Sequence, residues 1–274
     1  MYQQYEYVLG DTIEIECHWV GKTGRKGEQR GNRVAPTKEA VRRNNQKIKE
    51  RYVRRLITLN FKESDLWCTL KYPAGTRKKV EDLKKDFKNF IKKLKYRFKK
   101  LNKELKYIYR MELSKTGGPH VHILINRIED ADIMIGECWK KTIGAGSGYA
   151  DYRNLTEEGG YERLAAYIVK QPKPESEEYK QLSLFPEEER HEFLAYNSSR
   201  NLERPIAKIK TYTHWTMRKI LEEGPKAHEG FYVVKESVQS GINAYTGWSF
   251  MFWTERRLKE CSKIADSRKR KKAG

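Results

Sequence analysis

The sequence predicts an α+β fold, a central antiparallel β-sheet flanked by α-helices. Strand-like runs of apolar residues are interleaved with helical apolar stripes in the order strand–helix–strand–strand–helix–strand–helix. Two of the strand-like runs are joined by a short segment rich in Gly and Pro, which is typical of a β-hairpin. From this order we expect one sheet with helices on one of its faces.

Each predicted element follows from its local pattern. The predicted strands are residues 12–20, 66–72, 106–113, 120–126, 149–154, 206–212, 230–238 and 246–253. The predicted helices are residues 37–55, 79–101, 131–142, 158–171 and 213–222. Thr37 can cap the first helix, and Pro172 and Pro174 end the fourth. The acidic segment after these prolines is expected to be a solvated loop.

The helix at residues 79–101 has the clearest pattern. Its apolar stripe comprises Val80, Leu83, Phe87, Phe90, Ile91 and Leu94. Lysines cover the rest of its surface, and they fit either a solvated face or a contact with DNA.

Charge indicates the class of partner. The 274 residues include 57 Lys and Arg against 37 Asp and Glu, a net charge of +20. An excess of this size favours a polyanion such as nucleic acid. A membrane is the weaker candidate, because no apolar run approaches the ~20 residues of a membrane-spanning helix and the N-terminus lacks a signal-peptide pattern.

The four cysteines are scattered without C-x-x-C spacing, at Cys17, Cys68, Cys138 and Cys261. This pattern argues against a structural zinc knot or a disulfide framework, and a reducing compartment fits it best. We therefore expect a cytoplasmic protein.

The segment GGPHVHILIN, residues 117–126, places two histidines in an otherwise apolar strand. Alternate side chains of a strand point to opposite faces, so His120 and His122 share one face with Leu124. The apolar residues between them take the other face and are expected in the core. Two such imidazoles are either core or surface histidines that make ordinary hydrogen bonds within the protein, or two metal ligands.

A carboxylate lies on the neighbouring strand of the predicted hairpin. Residues directly opposite each other in an antiparallel pair point to the same face. Glu112 therefore joins the histidines only if the paired residue numbers have an even sum, for example with Glu112 opposite His120. Two imidazoles and one carboxylate then suit Mn²⁺, Zn²⁺, Co²⁺ or Fe²⁺, or Mg²⁺ with added waters. The alternative is a lone surface acid.

The helix at residues 158–171 carries a tyrosine outside its apolar stripe. Tyr167 lies beside Arg163, Lys170 and Gln171 at helical spacing. Its hydroxyl could attack phosphorus if a metal polarises the phosphate and Lys170 favours the phenolate, since an ordinary phenol has a pKa of about 10. Because the chain has 17 tyrosines, the alternative is a surface tyrosine.

Together these groups describe one reaction. A Lewis acid would make the phosphorus of a phosphodiester more electrophilic, and Tyr167 would attack it while a 3′-hydroxyl leaves. The protein would keep a covalent 5′-phosphotyrosine, which a later 3′-hydroxyl could reverse to join strands. The expected substrate is single-stranded or extruded DNA, because attack needs an accessible backbone.

The combination of Glu112, His120-Val121-His122 and Tyr167-Ile168-Val169-Lys170 resembles the HUH endonuclease superfamily. More narrowly, it is similar to the rolling-circle replication initiator (Rep) proteins of bacterial plasmids, phages and integrative elements. Residues 66–72 match that family's first motif, an apolar strand with threonine, and the resemblance spans roughly residues 60–215.

The resemblance implies a role for each matching residue. It makes His120, His122 and Glu112 ligands of a divalent metal, Mn²⁺ or Mg²⁺, with Tyr167 as nucleophile and Lys170 as its helper. It also implies a sheet like that of the RNA-recognition fold, with His-x-His on a central strand and the tyrosine helix beside it.

Two departures from the family pattern refine these expectations. Initiators with two nucleophiles carry a second tyrosine four residues from the first, where this chain has Arg163, so we expect a single-tyrosine enzyme. No G-x-x-x-x-G-K-[ST] motif occurs, so the chain should depend on a host helicase and polymerase at an origin presented as single-stranded or hairpin DNA.

These expectations divide the chain into four parts. An N-terminal strand and basic arm or helix, residues 1–58, precede a nicking-joining domain at residues 59–222. An aromatic β-hairpin at residues 223–255 is expected to complete that domain, and a basic tail follows at residues 256–274.

Polar and cationic side chains on the tyrosine helix and in a segment downstream of it are candidates for DNA contact. We expect Arg163 and Gln171 on the tyrosine helix, and Arg200 and Arg204 in the polar segment 197–205, to contact the backbone. For the last two, the alternative is a plain surface loop.

Several rival functions share parts of the pattern. Within the superfamily they are a single-tyrosine transposase and a conjugative relaxase, although relaxases typically carry a third histidine and an N-terminal tyrosine. A zinc hydrolase would need further ligands, and the remaining histidines show no motif spacing. An iron oxygenase usually has a double-stranded β-helix, which the helices here oppose. A non-enzymatic single-stranded nucleic-acid-binding module would explain only the charge.

Overall fold

The protein is described from a computed structural model, which covers residues 1–21, 30–114, 117–144, 148–156, 161–173, 175–214 and 217–258. Its strands are β1 (Tyr2–Leu9), β2 (Thr12–Trp19), β3 (Leu66–Lys71), β4 (Tyr107–Leu113), β5 (Pro119–Ile125), β6 (Ala150–Asn154), β7 (Tyr196–Ser198), β8 (Lys208–Tyr212), β9 (Phe231–Val233), β10 (Gln239–Ile242) and β11 (Ser249–Arg257). Its helices are α1 (Lys38–Asn60), α2 (Val80–Lys100), α3 (Ala131–Ile143), α4 (Glu162–Val169), α5 (Glu177–Ser183), α6 (Glu187–Leu194) and α7 (Met217–Glu223). The predicted α+β class, antiparallel sheets flanked by helices, is confirmed.

The chain forms two compact units, residues 38–204 and residues 1–37 together with those from 205 onward. The first unit contains a five-stranded antiparallel sheet in the order β6-β3-β5-β4-β7. The His-x-His strand β5 is therefore the central strand of its sheet, as expected.

Helices cover both faces of this sheet, not one face as the sequence suggested. Val121 and Ile123 of β5 belong to a core formed with α2 and α3, whereas Leu124 packs with Ile57 of α1 and Ile168 of α4. The reason lies in β5 itself, whose residues from 121 to 125 are all buried. Apolar residues on both sides of a strand need apolar cover on both sides.

The second unit contains a separate antiparallel sheet, which the sequence did not predict. Its strands run in the order β10-β11-β2-β1-β8, with β9 paired to β11. Of the aromatic strands, β11 thus pairs with N-terminal β2, through partners such as Trp253 and Ile15, and α1 lies in the unit of the His-x-His sheet. The two units divide the chain differently from the sequence-based boundaries, because pairing between its two ends holds the second sheet together.

The acidic segment after residue 174 was expected to be a loop, but it contains two short helices. Ser176 caps α5 by accepting a hydrogen bond from the backbone N–H of Tyr179, at 3.2 Å. Acidic side chains occupy the first turn of both helices, where the helix dipole favours them. Leu182 and Phe193 bury this segment against the core of α2 and α3.

None of the helices in the described part of the chain combines the length and the apolar character that a membrane-spanning helix requires.

Candidate active site

The hairpin of β4 and β5 sets the register of the site. Glu112 lies opposite His120, and Arg110 lies opposite His122. The paired residue numbers have an even sum, so all four side chains point to the same face of the sheet. This is the register that a metal site requires. The strands are joined through Ser114, whose N–H donates to the carbonyl of Gly118 at 2.8 Å.

Glu112, His120 and His122 form a potential metal-binding triad. Oε2 of Glu112 lies 3.3 Å from Nε2 of His122 and 3.7 Å from Nε2 of His120. One ligand atom from each of the three residues lies within 4.8 Å of the others. Separations of this size suit ligands that share one ion through bonds of about 2.1 Å.

The orientation of one ligand is held from outside the triad. Oγ1 of Thr69 on β3 is hydrogen-bonded to Nδ1 of His122 at 3.1 Å, which leaves Nε2 to face the carboxylate. The indole of Trp67 stacks on the same imidazole, with ring centroids 5.5 Å apart. A hydrogen bond to the ring nitrogen that does not face the metal, such as the one with Thr69, fixes the tautomer and the ring direction of a histidine ligand. The donor set and its support therefore fit a divalent ion.

Glu112 is buried, yet its environment favours the carboxylate. Burial by itself raises the pKa of Glu112, but the neighbouring imidazoles of His120 and His122 and the charge of Arg110 lower it by more, so the pKa lies below its usual range. Only 7% of the residue is exposed. An ionised, partly enclosed carboxylate between two imidazoles is suited to holding a cation.

Arg110 links the triad to the tyrosine helix, and sequence reasoning missed it. It is 1% exposed, and its Nε lies 3.0 Å from Oε1 of Glu112, in an ion pair whose angles fall outside those of a hydrogen bond. Its guanidinium also donates to the carbonyl of Ile168 at 3.2 Å and to that of Lys170. The sequence did contain a signal for it. Residues 110 and 112 are two positions apart on one strand, so their side chains share a face.

Helix α4 brings Tyr167 to the triad. Its hydroxyl donates to Oε2 of Glu112 at 3.0 Å and lies 2.8 Å from Nε2 of His122. Trp67 meets the phenol ring edge-on, with centroids 5.9 Å apart. Burial, then the negative charge of Glu112, raises the pKa of Tyr167 above its usual range. Tyr167 is therefore not a surface tyrosine, and it faces the histidines.

The other residues predicted on this helix lie around the site in different ways. Nζ of Lys170 is 3.0 Å from Oε2 of Glu178 on α5, an acid that sequence reasoning placed in a loop. Arg163 is exposed. The side-chain amide of Gln171 donates to the carbonyl of Leu194, at 3.2 Å, at the end of α6.

Arg200 and Arg204 lie at the other end of the sheet. The N–H of Ser199 donates to the carbonyl of Tyr107 at 2.9 Å, at the start of β4, whereas Glu112 is near its end. The five residue steps from Tyr107 to Glu112 span about 17 Å. The structure therefore does not bring these arginines to the triad.

Residues 65–172 match the model of a replication-associated protein family, the ORF2 family. The matched segment contains the triad, Arg110 and α4. The match is consistent with a Rep-type replication initiator, and it confirms the resemblance that the motifs indicated. No curated protein and no solved structure matches the chain.

Proposed function

We propose that the protein nicks and rejoins single-stranded DNA through a covalent 5′-phosphotyrosine on Tyr167, and so initiates rolling-circle replication of a mobile element or phage. The observation that carries this proposal is the meeting of Tyr167 with the triad. A hydroxyl within 3.0 Å of both Glu112 and His122 lies beside the atoms that would hold a divalent ion. The match to a replication-associated family supports the biological setting.

The chemistry follows from the residues in place. The phenolic oxygen of Tyr167 forms a bond to phosphorus and the bond to the 3′-oxygen breaks, while the phenol loses a proton and the 3′-oxygen gains one. Glu112, His120 and His122 would hold a divalent ion, Mn²⁺ or Mg²⁺. When bound, that ion supplies Lewis acidity to the phosphate and favours the phenolate. Arg110 positions both Glu112 and the end of α4.

The proposed substrate is single-stranded or hairpin DNA at a replication origin. A net charge of +20 favours a polyanion, and the covalent step needs a backbone that is accessible to the tyrosine. Arg163, exposed on α4, is available for backbone contact. The chain has no Walker A motif, so unwinding and synthesis are assigned to host helicase and polymerase.

A covalent-adduct assay tests the proposal. The protein is incubated with Mn²⁺ and a library of oligonucleotides, including hairpins, labelled at the 3′ end, and is then resolved on a denaturing gel. The label should migrate with the protein, and Tyr167→Phe or a chelator should abolish the adduct. Tyr179→Phe, which alters an exposed tyrosine on α5, is the matched control and should retain it. DNA binding without any adduct would favour the non-enzymatic binding module.

The DNA that the protein cleaves and rejoins distinguishes a replication initiator from a transposase and a relaxase. An adduct on a stem-loop whose two ends are later rejoined supports an initiator. Cleavage at both ends of an element, with strand transfer to a new site, would favour the transposase, and a single nick at a transfer origin would favour the relaxase.

A further inference from the structure

A cationic groove lies at the end of the His-x-His sheet that is remote from the triad. A groove of about 640 Å³ opens there between the end of α1, the start of β4 and the end of β5. It is lined by Leu59, Asn60, Phe61, Lys62, Asp65, Lys103, Lys106, Asn126, Arg127, Ile128 and Glu129. All of these residues belong to the unit of residues 38–204.

The cations of this groove have no acidic partners in the described part of the chain. Lys62, Lys103, Lys106 and Arg127 form no ion pair there, although Glu129 also lines the groove. Asp65 is 2% exposed, and its carboxylate accepts hydrogen bonds from the backbone N–H groups of Lys62 and Arg127, at 3.0 and 2.8 Å. Asp65 thus holds two loops together while their cationic side chains remain exposed.

A neighbouring segment is held to the same end of the sheet, and it carries a further cation. The side chain of Asn60 donates to the carbonyl of Glu203 and accepts from its N–H, both at 2.8 Å. Asn201 donates to the carbonyl of Leu105 at 3.2 Å. These bonds attach the segment that carries Arg200 to the same end of the sheet.

The chemistry of the lining indicates which part of a nucleic acid it would hold. Phe61, the only aromatic residue among the lining residues named above, is 5% exposed, so the groove offers no ring for stacking on bases. Exposed ammonium and guanidinium groups with amide side chains between them are typical of contacts to phosphate oxygens. A duplex presents such oxygens in a regular row.

We infer that this groove grips the phosphate backbone of the double-stranded DNA that flanks the nicked strand. The inference rests on the proposed function, because it places the cleaved strand at the triad. Lys106, directly before β4, and Glu112 on β4 are six residues apart, about 20 Å in extended chain. With one phosphate per 3.4 Å along each strand of a duplex, that distance corresponds to about 6 base pairs.

Equilibrium binding in a chelator tests the inference without requiring cleavage. Two fluorescent probes are compared, a single strand of about 10 nucleotides and the same strand flanked on both sides by about 10 base pairs of duplex. The test variant carries Lys62→Gln, Lys103→Gln and Arg127→Gln. The matched control carries Lys85→Gln, Lys88→Gln and Lys92→Gln on α2, which are exposed and lose the same charge.

The logarithm of affinity falls as the logarithm of salt concentration rises. For the flanked probe, this fall should be less steep in the test variant, its slope smaller in magnitude by about 2 to 3, since each phosphate contact contributes about 0.9. Its Kd at moderate salt should rise on the order of tenfold. The single-strand probe and the control variant should show little change.

Equal losses on both probes, an equal loss in the α2 control, or no change in slope would each overturn the inference. Thermal unfolding of each variant checks that the fold is retained. Failure of the proposed function is seen separately, as the absence of a covalent adduct in the unmodified protein.

Discussion

The hydroxyl of Tyr167 lies 2.8 Å from Nε2 of His122, the nitrogen that faces the carboxylate of Glu112. The other nitrogen of the ring is occupied by Thr69. Nε2 can therefore hold either the tyrosine hydroxyl or a metal ion, and the same hydroxyl also donates to Oε2 of Glu112. Binding of a metal ion should therefore release the Tyr167 hydroxyl from these ligand atoms. The nucleophile would then be free when the ion is bound.

Tyr167→Phe should therefore strengthen metal binding while it abolishes the covalent adduct. The substitution removes a hydrogen bond that competes for the ligand atoms, worth about 1 kcal/mol or roughly fivefold in Kd. Calorimetric titration with Mn²⁺ measures the change. An unchanged Kd would show that the hydroxyl and the ion do not compete, and a weaker Kd would make Tyr167 part of the metal site.

Thr69→Val should have the opposite effect on the metal. The valine has nearly the same shape but cannot bond Nδ1 of His122, so the ring loses the partner that fixes its tautomer and direction. Loss of such a partner typically weakens metal affinity by about 10–100-fold. The same titration measures it, with Thr142→Val on α3 as a half-buried control. Equal affinities for the two valine variants would contradict the role given to Thr69.

Arg110→Met should destabilise the protein strongly. Arg110 is buried, and it neutralises Glu112 and satisfies two carbonyls at the end of α4. Removing one partner of a buried ion pair typically costs about 3–5 kcal/mol, because the other charge stays buried. Urea unfolding measures this cost. Arg97→Met, which breaks a pair with Glu137 at the surface, should cost much less. Similar losses for the two variants would mean that Arg110 is not an anchor.

Glu112 should make the metal-free protein sensitive to acid. Burial raises its pKa, but the neighbouring imidazoles of His120 and His122 and the charge of Arg110 hold it below the usual range in the folded state. A lowered pKa stabilises the fold above the unfolded value of about 4.3, and the stability is lost as the pH falls below that value toward the folded pKa.

Glu112→Gln should therefore lose less stability than the unmodified protein between about pH 6 and about pH 3. Urea unfolding in a chelator at each pH gives the comparison, with Glu81→Gln at the exposed start of α2 as control. The opposite ranking would show that the folded protein does not favour the carboxylate.

Lys170 and Glu178 should affect the adduct in opposite directions. Glu178 pairs with Lys170 at 3.0 Å, and its charge adds to the burial and the Glu112 charge that raise the pKa of Tyr167. Lys170→Gln should slow adduct formation and Glu178→Gln should speed it, each by up to about tenfold, the effect of one pKa unit. Single-turnover rates with Mn²⁺ measure both. Rates unchanged by Lys170→Gln would remove Lys170 as a helper.

Much of the site was predictable because it depends on local geometry. The period of a strand puts His120 and His122 on one face, and parity decides whether Glu112 joins them. The same parity placed Arg110 on that face, but only the packing of α4 over the sheet makes it a buried anchor. Glu178 could not be assigned either, because its contact with Lys170 depends on how α5 packs.

By itself, the sequence determined the α+β class, the strand that carries His-x-His and the helix that carries Tyr167, since each is encoded in short-range pattern. The central place of that strand followed only from the family resemblance. Tertiary structure decided the rest. The sheet that joins β1 and β2 to β11 depends on pairing between opposite ends of the chain, and the two-sided cover of β5 depends on which helices reach each face. Local propensity carries no information about such contacts, because their stability comes from burial between segments that are distant in sequence.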